Sequence, residues 1–267
     1  MLNTAVPAAF PQVLVVHGPT GGAGKTMLAL LLSYLYARKG HATVLVDLSQ
    51  YGAVAPWLQI PRGAGTGLTG LLAALRQGGP TDERIRSALI PAPQSGERLQ
   101  LVLSSGAAKM DQVKAADVEA LIGQLAGVAE VVIVDTGSEL TDRTLGALMA
   151  ATRVVLAIPP QVVSGWQTLD LLEIMRSAYV KRERLGVAFT RVQPGSRFGV
   201  EEFAQTLGLP QLGIIPESPD LRKLGERGGP PDIRPRTPGL RAVRALAHNL
   251  IPIFTPKELS GPWPLSR

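Results

Sequence analysis

Apolar residues along this chain fall into two alternating rhythms. Short, largely β-branched runs stand at 13–16, 42–48, 99–105, 131–134, 154–159, 185–190 and 212–215. They are continuous and too short for amphipathic helices, and they read as buried strands. Longer stretches with helical spacing separate them, at 26–38, 68–77, 82–89, 117–126, 142–151, 167–179, 200–207 and 240–250. Gly40 closes the first of these helices. Strands alternating with helices in this way predict an α/β chain, a doubly wound, mainly parallel sheet with helices on both faces. Ligands of such sheets sit at the carboxyl ends of the strands. Residues 52–67 are rich in Gly and Pro and predict an irregular connection. No internal repeat and no interdomain linker interrupts the pattern. The expected organisation is an N-terminal extension at 1–12, one domain over 13–254 and a flexible C-terminal tail at 255–267.

The first strand–helix junction carries the clearest chemistry. It reads VLVVHGPTGGAGKT over 13–26. Strand, glycine loop, Lys-Thr and helix together form a phosphate-binding loop. Gly21, Gly22 and Gly24 let backbone N–H groups turn toward phosphate oxygens, with Ala23 among them. The following helix aims its positive N-terminus at the same point. Lys25 is placed to neutralise β- and γ-phosphate charge, and the Thr26 hydroxyl to ligate Mg²⁺. A bound nucleoside triphosphate is the expectation.

Composition narrows the rest. At 267 residues, 45% hydrophobic and 18% charged, the chain is globular in character. No apolar run reaches the length of a membrane span, and the N-terminus lacks the regions of a signal peptide, so a cytoplasmic place is expected. The absence of cysteine excludes disulfides and thiolate chemistry, and the three histidines are scattered. A net charge of +6 favours a polyanionic partner, although a GC-rich genome would give the same arginine bias.

The loop departs from the ordinary G-x-x-x-x-G-K-[ST], because Pro19 stands at the first glycine. Gly21-Gly22-Ala23-Gly24-Lys25-Thr26 resembles instead the deviant Walker A loop of the MinD/ParA family, KGGxGK[ST], and the order of parts over 13–250 is similar to that family. The resemblance implies a P-loop ATPase fold with ATP and Mg²⁺ as cofactors. VIVDTGSEL resembles the family's Walker B and switch II, which implies that Asp135 holds Mg²⁺ through water; a plain strand-end cap is the other reading. VLVDLS resembles the second-strand signature D-x-D, with Asp47 near the metal's water shell. The second aspartate of that signature is Ser49 here, and the leading lysine, which in the family reaches a partner's nucleotide, is Thr20. The stretch from Thr190 resembles the family's TRYNPGR…VIPED region, which implies Arg191, Gln193, Pro216 and Glu217 around adenine.

Keeping Lys25, Thr26, Asp47 and Asp135 while changing Thr20 and Ser49 implies ATP binding with weakened or absent hydrolysis. Atypical loops occur in the CpaE/TadZ branch, and 201–228 is similar to it. That branch implies a nucleotide-linked homodimer that localises or recruits pilus or secretion proteins, at a cell pole or at the membrane through partners. No receiver-like domain is expected ahead of the loop. A ParA-like reading needs weak nonspecific DNA binding through an arginine-rich face: Arg176, Lys181, Arg182, Arg184, Arg222, Lys223, Arg227, Arg234, Arg236, Arg241 and Arg244. The other reading of the same residues is an ordinary solvated surface. A MinD-like membrane helix is not expected, because the last 17 residues contain four prolines. A pseudo-ATPase scaffold is the remaining alternative.

Overall fold

The computed structural model describes residues 11–78, 81–193, 199–235, 237–254 and 259. Most of the expected N-terminal extension, Arg236 and nearly all of the expected tail lie outside them. The strands are β1 (Gln12–His17), β2 (Thr43–Asp47), β3 (Ile90–Pro91), β4 (Leu99–Val102), β5 (Val131–Asp135), β6 (Arg153–Ile158), β7 (Leu185–Val192) and β8 (Gln211–Pro216). They form one sheet in the order β3-β4-β2-β5-β1-β6-β7-β8, parallel throughout except that β3 runs antiparallel to β4. The predicted doubly wound architecture is therefore the observed one.

Helices follow nearly every strand. They are α1 (Lys25–Arg38), α2 (Val54–Trp57), α3 (Gly67–Gly78), α4 (Asp82–Ala88), α5 (Ala107–Met110), α6 (Ala115–Val128), α7 (Asp142–Ala150), α8 (Val162–Ser177), α9 (Val200–Leu207), α10 (Pro219–Arg227) and α11 (Pro238–Leu250). Successive strand residues face opposite ways, so two cores form. Val13 and Val15 pack on the side of α6, α7 and α8; Leu14 and Val16 pack on the side of α1 and α11. The Tyr36 hydroxyl donates to the Ala247 carbonyl at 2.9 Å and ties α1 to α11.

Several boundaries differ from expectation for local reasons. The sixth helix starts at Ala115 because the Asp117 carboxylate reaches back to accept the Lys114 N–H at 3.1 Å. The eighth starts at Val162, not at 167. Its Gly165 looks like a breaker, yet a Cβ there would lie 2.8 Å from the Phe203 ring, so the glycine is what lets α9 pack. The strand expected over 99–105 stops at Val102. The two-residue β3 and the four-residue α2 and α5 are too short for periodicity to reveal. Helix α10 was not expected, although Ser218-Pro219 stands at its start and Gly228 at its end.

The arginine-rich face does not hold together. Arg244 is 2% exposed and donates to the carbonyls of Ile233, Arg234 and Pro235, so it caps a loop. Arg182 and Arg184 bond the carbonyls of Leu207 and Ala151 at the start of β7, whereas Arg222 and Arg227 lie on α10 beyond the end of β8. Opposite ends of the sheet separate the two groups.

Candidate nucleotide site

β1 is the central strand of the site, flanked by β5 and β6. The chain leaves it through the glycine loop, where Gly22 and Gly24 take φ of 70° and 83°, and enters α1 at Lys25. A side chain at either glycine would strain the turn that presents the loop's N–H groups. A cavity of about 730 Å³ opens there, lined by the loop from Gly21 to Thr26. It extends past β6 and β7 to the end of β8, roughly 14 Å across three strand spacings. Trp57, Ile215, Leu221 and Val243 give its far part an apolar lining, with Glu217 and Arg222 beside them. One polar end and one apolar end within this volume suit a charged ligand with a flat ring.

Trp57 reaches this cavity from the other side of β1. Its carbonyl accepts the Gly229 N–H at 2.6 Å, and the Gln59 side chain donates to the Arg227 carbonyl at 3.3 Å. The segment after β2 is thus strapped across to α10. Sequence reasoning missed Trp57, because nothing in the spacing joins 57 to 229.

Lys25 is 6% exposed. Burial lowers its pKa to about 8, partly opposed by the nearby charge of Asp135. Its ammonium donates to the Thr20 carbonyl at 2.7 Å, within the loop it would serve. A buried cation whose partner is a backbone carbonyl fits an incoming phosphate.

Asp47 and Asp135 are register partners on adjacent strands, and both are fully buried. Asp47 Oδ1 accepts from the Ser49 N–H at 3.0 Å and from the Ser49 hydroxyl, and Oδ2 accepts from Val54 N–H at 2.9 Å. Asp135 receives Gly137 N–H on Oδ1 at 3.4 Å and is hydrogen-bonded by Thr26, but its Oδ2 has no partner. Burial, and then the neighbouring Asp47, push the Asp135 carboxyl up to about 7. Burial likewise raises Asp47. Two adjacent buried carboxylates beside Thr26, one with an unshared oxygen, fit a hydrated divalent cation. Among the described residues no group of three or more acidic or imidazole ligands could cage a metal alone. A metal here would therefore depend on phosphate and water as well.

The two departures, Thr20 in the phosphate loop and Ser49 after β2, have visible occupations. Thr20 Oγ1 donates toward Ser164 Oγ at 3.1 Å and Gln167 Oε1 at 3.2 Å, so it latches the loop to α8. Ser49, besides donating to Asp47, accepts the Ala53 N–H at 3.0 Å. Of the residues expected around the base, Arg191, Pro216 and Glu217 line the cavity. Gln193 is exposed just past β7 and is not among the lining residues, because β7 ends at Val192. Arg191 has φ of 53° beside an irregularity in the β7–β8 pairing. A methyl on Gly22 would lie 3.9 Å from its Nη1, so its guanidinium reaches the phosphate loop.

One further polar group borders the loop. His17 is buried, with Nδ1 2.7 Å from Thr136 Oγ1, and burial followed by Lys25 lowers its pKa to about 3. The imidazole is neutral and joins the end of β1 to the loop after β5.

Comparison with known proteins agrees with this geometry. Residues 14–231 match the family model for the CobQ/CobB/MinD/ParA nucleotide binding domain. An uncharacterized ATP-binding protein of Methanocaldococcus jannaschii is 25% identical over 242 residues, 89% of this chain and 87% of that protein. The septum site-determining protein MinD of Neisseria meningitidis is 25% identical over 232 residues, 82% of this chain and 83% of its own. Among solved structures, MinD of Pyrococcus horikoshii complexed with Mg-ADP superposes with a TM-score of 0.71 at 18% identity, covering 90% of this chain and 95% of that one. Since the model match runs from β1 past α10, across the phosphate loop and both carboxylate loops, this chain belongs to the CobQ/CobB/MinD/ParA nucleotide-binding family.

Proposed function

We propose that this protein is an ATP-binding, Mg²⁺-dependent switch with slow or absent hydrolysis. The binding half rests on the cavity that joins Gly21–Thr26 to an apolar far end. Lys25 and the loop N–H groups would hold the β- and γ-phosphates; Thr26 would ligate the metal, with Asp135 and Asp47 acting through water. Pro216 and Glu217 would border the base, while Arg191 would lie nearer the phosphates than the family match implies. Bound Mg²⁺ would supply charge neutralisation between the phosphate oxygens.

The weak-hydrolysis half rests on what Thr20 and Ser49 do. Thr20 is neutral and turned to α8, and Ser49 is committed to Asp47 and Ala53. Neither presents a cation to developing phosphate charge or a base to the lytic water, and a cation alone is worth about 10³–10⁵ in rate. A general base adds about 10²–10⁴.

Beside Thr20, α8 exposes Val162, Val163 and Trp166, the last at 67%. That patch supports a homodimer held by apolar contact more than by nucleotide state. The similarity of 201–228 to the CpaE/TadZ branch supports a role in localising or recruiting pilus or secretion proteins. No described helix is long and apolar enough to cross a membrane.

Two measurements test this reading. ATP with Mg²⁺ should raise the Tm of the wild type and leave Lys25→Ala unmoved; equal shifts would defeat the binding site. Single-turnover hydrolysis should be very slow, and Ser49→Asp alone should not restore it. The double change with Thr20→Lys should exceed the product of the single effects. Wild-type turnover of order one per second, an ordinary enzyme rate, would refute the weak-hydrolysis half.

A further inference from the structure

Arg143 is the second residue of α7, and only 3% of its surface is exposed. Its guanidinium donates in three directions. Nε reaches the Leu48 carbonyl at 3.0 Å, Nη1 the Met110 carbonyl at 3.3 Å, and Nη2 the side-chain oxygen of Gln50. Gln50 in turn donates to the Ala107 carbonyl at 3.1 Å and to Asp111 at 2.7 Å. Among the described residues the one carboxylate in ion-pair range is Glu139, at 4.0 Å on an exposed side chain. Asp111 adds a weaker attraction.

Neutral oxygens therefore accept from each of the three guanidinium nitrogens. Burying a cation this way is costly, and an apolar side chain of similar bulk would fill the space with less desolvation. Arginine supplies a rigid fork of donors that an apolar side chain lacks. The targets of the fork matter here. Leu48 stands between Asp47 and Ser49, and its own N–H donates to the Asp135 carbonyl at 2.8 Å. The loop after β2 is thus gripped from β5 through one N–H and from α7 through the next carbonyl. The grip sits one residue from the paired carboxylates.

We propose that Arg143 is a positioning residue for the metal side of the nucleotide site, clamping 48–50 so that Asp47 and Asp135 keep one common face. The proposal rests on the ATP–Mg²⁺ reading above. Groups that orient ligands from behind typically change metal affinity by about 10–100-fold when removed.

The test compares wild type, Arg143→Leu and Gln50→Ala. Gln50→Ala removes only one leg of the clamp and leaves the buried guanidinium in place. ATP affinity is measured by calorimetry with and without Mg²⁺, and amide hydrogen exchange is followed over 48–54 and over α1. In Arg143→Leu the factor by which Mg²⁺ tightens ATP binding should fall about tenfold or more. Affinity without Mg²⁺ should stay unchanged, with faster exchange confined to 48–54. Gln50→Ala should move both readouts in the same direction by less. A folded Arg143→Leu or Gln50→Ala that keeps the full Mg²⁺ factor would overturn the proposal, as would a Tm loss with exchange raised equally in α1. If wild type shows no Mg²⁺ effect, the metal reading itself fails and this role falls with it. Retention of the effect in the variants alone defeats only the clamp.

Discussion

The loops after β2 and β5 begin alike and diverge within two residues. Each strand is buried along its whole length, each ends in an aspartate, and the two aspartates are paired in register. After Asp47 the chain turns a serine and two N–H groups back on the carboxylate. After Asp135, Thr136 turns to the Val16 carbonyl and His17, and Oδ2 is left bare. Identical residues at identical strand ends therefore carry different work. The following residues decide whether the carboxylate organises its own loop or remains open to a cation.

Substitution should break this symmetry most visibly at Asp135. Asp135→Asn should weaken Mg²⁺-dependent ATP binding by about 10–100-fold, the range for groups acting through a metal's outer shell. It should also raise the Tm of the ligand-free protein, because a costly buried charge is gone. Asp47→Asn should do the reverse to stability: its amide would set a donor against Val54 or Ser49, at a cost of about 1–3 kcal/mol. Calorimetry on both variants decides the matter, and a shared sign of Tm change would erase the distinction.

A smaller effect concerns pH. The Asp135 carboxyl is raised in the folded state to about 7, so between the unfolded carboxylate range and 7 the folded chain binds more protons. Stability without metal should be greatest below pH 4 as far as this group acts, and should be lost as pH rises through 7. The slope should be at most about 1.4 kcal/mol per pH unit. Chemical denaturation at several pH values should show that slope in wild type and its loss in Asp135→Asn.

The mildest change is Ser49→Ala. It removes one donor from Asp47 and one acceptor from Ala53, and should lower stability by about 1 kcal/mol with ATP affinity kept. A marked loss of affinity would mean that Ser49 meets the nucleotide directly.

The phosphate end was legible because every part of it lies within one continuous stretch, from β1 through Gly21 to Thr26. The strand-end aspartates were legible as positions but not in their hydrogen bonding, which depends on the turn after each strand. Arg143 and Trp57 were illegible. One is an arginine in a helix that spacing marks as ordinary, and the other is a tryptophan inside a Gly/Pro-rich connection. Both acquire their roles from segments far along the chain, Leu48 and Met110 for one and Gly229 for the other. The misjudged start of α8 has the same origin, since Phe203 explains Gly165.

The strand order also sets a clock on synthesis. β1 is the earliest of the described strands, yet its two neighbours are β5 and β6, which end at Asp135 and Ile158. The glycine loop follows β1 directly, but the strands that flank its base are complete only once residue 158 has been translated. A growing chain on the ribosome in which β1 and α1 have emerged, but not β5 and β6, has the motif and not the site. Contacts that span such distances close slowly. The site is therefore complete only after β5 and β6 are in place, and until then α1, buried along most of its length in the finished fold, lacks its full cover.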